Sequence, residues 1–222
     1  MSKKQLQPQT QSGYLELIVG PMFSGKTSRL VEIYKQCIFC NISVSVINHS
    51  IDNRYDEELM ATHDKIKIPC IKANKLSEIW PTLPYDVNNK EINSRLDDII
   101  NVSNCDVILI NEGQFFSDLY EVVLEMLEEG KKIYICGLDG DFERKKFGRL
   151  LDLVPYCDKI EKLTSLCSIC KNGTPGIFSM RLTDEKQQTL VGSDNYIPVC
   201  RGCYDQNTLK NNNNNCNFFL TK

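Results

Sequence analysis

The chain has no apolar run approaching the ~18 residues that a membrane-spanning helix needs. Its first residues, MSKKQLQPQTQSG, hold no apolar stretch of the kind a secretory signal requires. A cytoplasmic protein without a membrane partner is expected. Positive charge is not in excess either: 26 Lys and Arg stand against 29 Asp and Glu, a formal net charge of -3, and no basic stripe is visible. This counts against a nucleic-acid partner, and any anionic ligand has to be recognised locally. Internal repeats are absent as well. Cysteine, by contrast, is abundant, with 11 residues. In a chain without an export signal that number points to metal ligation or buried thiols rather than disulfides. The 222 residues, 41% hydrophobic and 25% charged, suffice for one ordinary domain with a sizeable core and a small appendage.

Residues 1–12 are polar and read as a flexible tail. From Tyr14 the pattern changes. Leu15, Leu17, Ile18 and Val19 form a short apolar run ending at glycine, as a buried parallel strand does. Across residues 28–39, Leu30, Val31, Ile33, Tyr34 and Cys37 recur at helical spacing. Residues 43–47, 107–110 and 133–136 read as further strands, and 118–129 as a helix stopped by Gly130. Pro81, Pro84 and Asn88-Asn89 mark an exposed loop over 80–93, followed by a helix over 94–101. Strands alternating with helices imply an α/β domain with a parallel sheet over residues 13–164. From about 165 the rhythm gives way to cysteine pairs and glycines, so a small second domain is expected over 165–206. Residues 207–222, with asparagines at 211–215, read as a low-complexity tail.

Gly20-Pro21-Met22-Phe23-Ser24-Gly25-Lys26-Thr27 fits the phosphate-loop pattern, glycine, four residues, then Gly-Lys-Thr, between a strand and a helix. The glycines let successive N–H groups face phosphates, and the helix N-terminus favours an anion. Lys26 is placed to reach the β- and γ-phosphates of ATP, and Thr27 to ligate Mg2+. A neighbouring apolar strand should end in a group that holds the hydrated metal. Val107-Ile108-Leu109-Ile110 ends in Asn111-Glu112-Gly113-Gln114. Asn111 offers an amide oxygen without a charge, and Glu112 is the candidate general base.

Cys167-Ser168-Ile169-Cys170 and Cys200-Arg201-Gly202-Cys203 are two C-x-x-C pairs. They suit one tetrahedral Zn2+ that ties off the ends of the loop between them. Four protein ligands leave no open position, so this zinc is structural. Cys37 and Cys40 also read C-x-x-C but have no partner pair. Cys70, Cys105, Cys136, Cys157 and Cys216 read as buried or incidental thiols.

Taken in order, GPMFSGKT, Asp52-Asn53-Arg54-Tyr55 with Thr62-His63-Asp64, NEGQFF, LDGDFERKKFG and the two cysteine pairs resemble the type II thymidine kinases, the cytosolic, zinc-containing family. The resemblance covers residues 13–204. It implies a P-loop α/β domain and a small zinc-bearing domain whose lasso-like loop folds over the nucleoside. It also implies transfer of the γ-phosphoryl group of ATP to the 5′-hydroxyl of thymidine with Mg2+.

On the resemblance, Glu112 is the base, and Asn111, Gln114, Asp52 and Arg54 join residues 20–27 on the ATP side. Phe142 packs on the thymine ring, and Gln188, Thr189, Leu190, Val191, Gly192 and Tyr196 enclose it, with Leu138, Phe115, Met22 and Phe147 completing the walls. The resemblance also implies a homotetramer and feedback inhibition by thymidine triphosphate. Asn111 departs from the family, standing where an aspartate is usual. Two other readings compete: a nucleotide-binding regulator that has lost catalysis, and a zinc-ribbon nucleic-acid module with an appended ATPase.

Overall fold

The computed structural model describes residues 12–52, 59–62, 65–80, 94–190 and 192–216. The expectations for Arg54, His63, Asp64, Val191, the loop over 81–93 and residues 1–11 fall outside them.

The chain enters at β1 (Tyr14–Val19), turns through the phosphate loop into α1 (Lys26–Phe39) and returns in β2 (Val44–His49). A short hairpin of β3 (Leu59–Ala61) and β4 (Lys67–Pro69) precedes β5 (Ile71–Ala73). Then come α2 (Leu96–Asn104), β6 (Val107–Asn111), α3 (Leu119–Glu128), β7 (Lys132–Gly137) and β8 (Lys159–Lys162). These strands build a six-stranded sheet in the order β5-β2-β6-β7-β1-β8, with every pairing parallel.

The two-residue period of the strands explains the two covered faces. Leu15, Leu17 and Val19 of β1 join Ile108, Ile110, Ile133 and Ile135 under α3 and the 3₁₀ segment Leu150–Tyr156. Ile18, Val46, Leu109 and Cys136 point the other way, against Leu30, Val31, Ile33 and Cys37 of α1. Each fully buried Leu or Ile on these faces contributes about 1.5–3 kcal/mol. Because all six strands run parallel, their carboxyl ends open along one edge, where an α/β sheet binds ligands.

The expected α/β architecture is present, with two strands that the reading of the sequence did not name. β5 and β8 are the outermost strands of the sheet, and β8 reads KIEK, with Lys159, Ile160 and Lys162 exposed. The helix expected over 94–101 has its bounds at Leu96–Asn104. Phe116 is fully buried core.

Beyond β8 lie two small antiparallel pairs: β9 (Ser165–Leu166) with β10 (Pro175–Gly176), and β11 (Phe178–Arg181) with β12 (Tyr196–Val199). Cys167, Met180, Val199 and Tyr204 form a separate small core. The backbone of α4 (Arg201–Cys216) starts among these residues and stays helical through the asparagine run. Once a first turn is pinned, elongation adds a hydrogen bond per residue without needing a core.

Candidate active site

The phosphate loop spans the turn from β1 into α1. Gly25 sits in the left-handed region (φ 84) as the residue preceding the first helical turn, and no side chain caps that helix. The first N–H groups of α1 are thus available to an anion, with the helix dipole behind them. Lys26 is buried and donates from Nζ to the Pro21 carbonyl at 2.7 Å and to Ser24 Oγ at 3.4 Å. Its ammonium is therefore held inside the loop.

β6 delivers Asn111 and Glu112 to the same edge. Glu112 adopts left-handed backbone (φ 55), an unfavourable conformation for a residue with a Cβ and one that collects at functional sites. Its carboxylate is half-buried and accepts from Gln114 Nε2 at 2.8 Å. The Leu138 N–H donates to Gln114 Oε1 at 3.0 Å, so the amide can only present its nitrogen to Glu112. Gly148 packs against the backbone of Gln114: an added Cβ would lie 2.1 Å from the Gln114 carbonyl oxygen. A glycine from a distant loop thus fixes the residue that orients Glu112.

Asn111 lies below Glu112 and is 1% exposed. Thr27 Oγ1 donates to its Oδ1 at 3.4 Å and the Cys136 thiol does so at 2.8 Å. Asn111 Nδ2 donates to Asn48 Oδ1 at 2.9 Å, and Asn48 Nδ2 to Asp52 Oδ2 at 3.3 Å. The acceptor-only carboxylate at one end sets the direction of the whole chain of bonds. Cys136 is a committed donor, because burial first and the Glu112 charge second push its thiol up to about 12. The amide oxygen of Asn111 consequently faces Thr27, where a hydrated Mg2+ is held in P-loop sites.

Most of these groups line one open cleft, concave and walled by apolar and aromatic side chains with a few polar groups among them. Residues 22–27, Asp52, Glu112 and Gln114 lie on its walls, together with Phe115, Leu138, Phe142, Phe147, Gln188, Thr189, Leu190, Gly192 and Tyr196. Gly20 and Pro21 form the base of the loop. Asn111 is beneath the cleft rather than on its wall. Ser28, Ile51, Gly140, Asp141 and Ser179 also line it. Sequence reasoning did not select them as site residues, and of the five only Gly140 and Asp141 fall inside a motif that could have signalled them. Phe147 proves to be both core and wall, since its ring meets Phe115 edge-on at 5.3 Å. The charge run after Phe142 is used structurally. Arg144 stacks on Tyr204 and pairs with Asp205, Lys145 pairs with Glu143, and Lys146 with Asp152.

The four sulfurs of Cys167, Cys170, Cys200 and Cys203 all lie within 4.8 Å of one another, with Cys170 Sγ 3.7 Å from Cys200 Sγ and 3.4 Å from Cys203 Sγ. Zinc–thiolate bonds of ~2.3 Å place tetrahedral sulfurs roughly 3.8 Å apart, so the donor set and its spacing fit zinc. Burial raises the Cys167 thiol, but backbone N–H groups at Cys170, Cys200 and Ile169 outweigh it and bring it down to about 6. The Cys170 and Cys200 side chains push Cys203 up to about 12. Four thiolates this close repel one another, and a bound cation removes that conflict. Cys37 is buried and Cys40 exposed at the end of α1, and neither belongs to a metal cluster among the described residues.

A parallel sheet, a phosphate loop at its carboxyl edge and an oriented carboxylate facing the same cleft define a P-loop phosphotransferase. The sequence model of the thymidine kinase family matches residues 13–204. The chain is 38% identical to the thymidine kinase of Yaba monkey tumor virus, across 88% of this chain and 96% of that protein. It is 37% identical to thymidine kinase a of Arabidopsis thaliana over 89% of this chain and 77% of that one. Thymidine kinase 1 of Dictyostelium discoideum is likewise 37% identical, over 88% and 80% of the two chains. The chain belongs to the thymidine kinase family.

Proposed function

We propose that the protein transfers the γ-phosphoryl group of ATP to the 5′-hydroxyl of thymidine, giving thymidine monophosphate and ADP for nucleotide salvage in DNA synthesis. The observation that carries the reading is the juxtaposition of Glu112, locked by Gln114, with the N-terminus of α1 and the Phe142 wall in one cleft.

In this reading residues 20–27 cradle the ATP phosphates and Lys26 neutralises the β- and γ-oxygens. Phe142, Phe115, Leu138 and Tyr196 enclose the apolar faces of thymine, and the backbone at 188–190 and at 192 meets its polar edge. Glu112 accepts the proton of the 5′-hydroxyl as the new O–P bond forms and the bond between the γ-phosphorus and the β,γ-bridging oxygen breaks. Thr27, with Asn111 behind it, would hold Mg2+, which supplies further charge neutralisation across the phosphates. Cys167, Cys170, Cys200 and Cys203 would hold a structural Zn2+ whose role is to anchor the nucleoside-enclosing loop.

The domain division at 164/165, a homotetrameric assembly, inhibition by thymidine triphosphate and a cytoplasmic setting belong to the same proposal. Among the described residues, no helix is long and apolar enough to cross a membrane. A nucleic-acid partner finds no support in the net charge of -3.

The test is label transfer from ATP to thymidine by the wild type beside Glu112→Gln. The variant should lose about 10²–10⁴ in turnover while binding ATP normally. No transfer by the wild type at any Mg2+ concentration overturns the reading.

A further inference from the structure

β11 ends in Arg181, which no sequence motif singles out. The residue is 8% exposed, and its guanidinium is placed behind the cleft wall, outside the lining itself. Its Nη1 donates to the carbonyls of Glu185 (2.8 Å) and Gln187 (2.5 Å), and its Nη2 to that of Gln188 (3.1 Å). Nε and Nη2 both donate to the Tyr196 hydroxyl. The guanidinium carbon lies 3.7 Å from the centroid of the Phe142 ring. Five donors in a rigid plane are thus used on three loop carbonyls and a phenol, while the flat face is used on an aromatic ring. A carboxylate is not among these partners, so the buried cation depends on the loop oxygens and the rings for its compensation.

We infer that Arg181 is a positioning residue for the nucleoside: one side chain fixes both the path of the loop over 182–190 and the plane of the Phe142 ring. The inference rests on the thymidine reading of the cleft for its ligand, though not for its geometry. Residues 182–188 are exposed and contribute nothing to a hydrophobic core, so polar contacts decide where that loop lies. On the Arg181 side there are three carbonyl bonds. On the far side the loop is tied by Gln188 Nε2, which donates to Asp141 Oδ2 (2.8 Å) and to the Lys146 carbonyl (3.2 Å). Arg181 therefore sets the shape of the thymine end of the cleft, and none of the partners named above is in the phosphate loop. Its loss should weigh more on thymidine than on ATP.

The experiment uses the full chain with Arg181→Met, which keeps an apolar stem of similar reach, and Arg181→Lys, which keeps the charge but loses the fork. The first readout is the rate of tryptic cleavage after Lys186, mapped by mass spectrometry. The second is KM for thymidine against KM for ATP. In Arg181→Met, cleavage and the thymidine KM should each rise about tenfold, with the ATP KM within about twofold and Arg181→Lys lying between. Unchanged cleavage and unchanged thymidine KM in a folded Arg181→Met protein overturn the proposal, as does an equal rise in both KM values. Should Arg181→Met not fold, the same readouts on Arg181→Lys decide the matter. Faster cleavage in a protein whose wild type does not phosphorylate thymidine would sustain the clasp and overturn only the assigned substrate.

Discussion

Replacing Asn111 by Asp puts a carboxylate where the hydrogen-bond network is built for an amide. The side chain is 1% exposed, and its Nδ2 is the donor to Asn48 Oδ1 at 2.9 Å. A carboxylate at that place has no N–H to give and sets two acceptors face to face. Turning the Asn48 amide round only moves the conflict, because its oxygen then meets the carboxylate of Asp52, which now accepts from Asn48 at 3.3 Å. Losing one neutral hydrogen bond, together with the desolvation of an opposed acceptor, amounts to about 2–4 kcal/mol, partly offset by the Lys26 ammonium nearby. Urea unfolding at neutral pH should show that deficit, and turnover should not rise above wild type at any Mg2+ concentration. The pH dependence has a definite sign. Burial raises the folded-state pKa of the introduced carboxyl, so the native variant binds more protons than the unfolded chain and the deficit shrinks as pH falls. A variant as stable as wild type at neutral pH, or one with several-fold higher turnover, would refute the argument from hydrogen-bond direction.

Zinc analysis of freshly purified protein should give about one metal per chain; Cys167→Ser or Cys203→Ser should remove it and raise the thymidine KM more than the ATP KM in steady-state assays. Gly148→Ala places a Cβ 2.1 Å from the Gln114 carbonyl at φ 61. It should cost at least ~2 kcal/mol in a denaturant titration, and turnover should fall further than the folded fraction does, because Gln114 orients Glu112. His49 is held neutral, its pKa lowered mainly by burial. The unfolded chain therefore takes up the proton first, and stability should fall as pH drops below about 6.5; His49→Gln should flatten that part of a stability–pH curve.

The parts of this site that are legible in sequence are the parts whose chemistry is local. A phosphate loop needs its glycines, Lys26 and Thr27 within one turn, and a zinc knuckle needs two thiols three residues apart, so both leave a compact trace. Glu112 is found because it follows directly on an apolar strand. β8 leaves little trace: an edge strand needs no alternating apolar face, and KIEK reads as solvated loop until β1 is seen pairing with it. Asn48, Asn111 and Cys136 stand on three adjacent strands and meet only through sheet register, where Asn48 pairs with Asn111. Cys136 is buried, as one of the two readings of its thiol expects, and it is also the donor that fixes the Asn111 amide. Arg181 is equally silent, since its partners are backbone carbonyls, which any residue supplies.

A hydrogen bond joins the small cysteine-bearing unit to the phosphate loop: the Met22 N–H donates to Ser179 Oγ at 2.9 Å. Ser179 is on β11, two residues before the arginine that clasps the nucleoside loop, and Met22 is among the residues that would surround the ATP phosphates. The two halves of the cleft thus share a strut, and whatever one substrate does to the strut the other must feel. Binding linkage makes that influence mutual: the factor by which thymidine changes the affinity for ATP equals the factor by which ATP changes the affinity for thymidine.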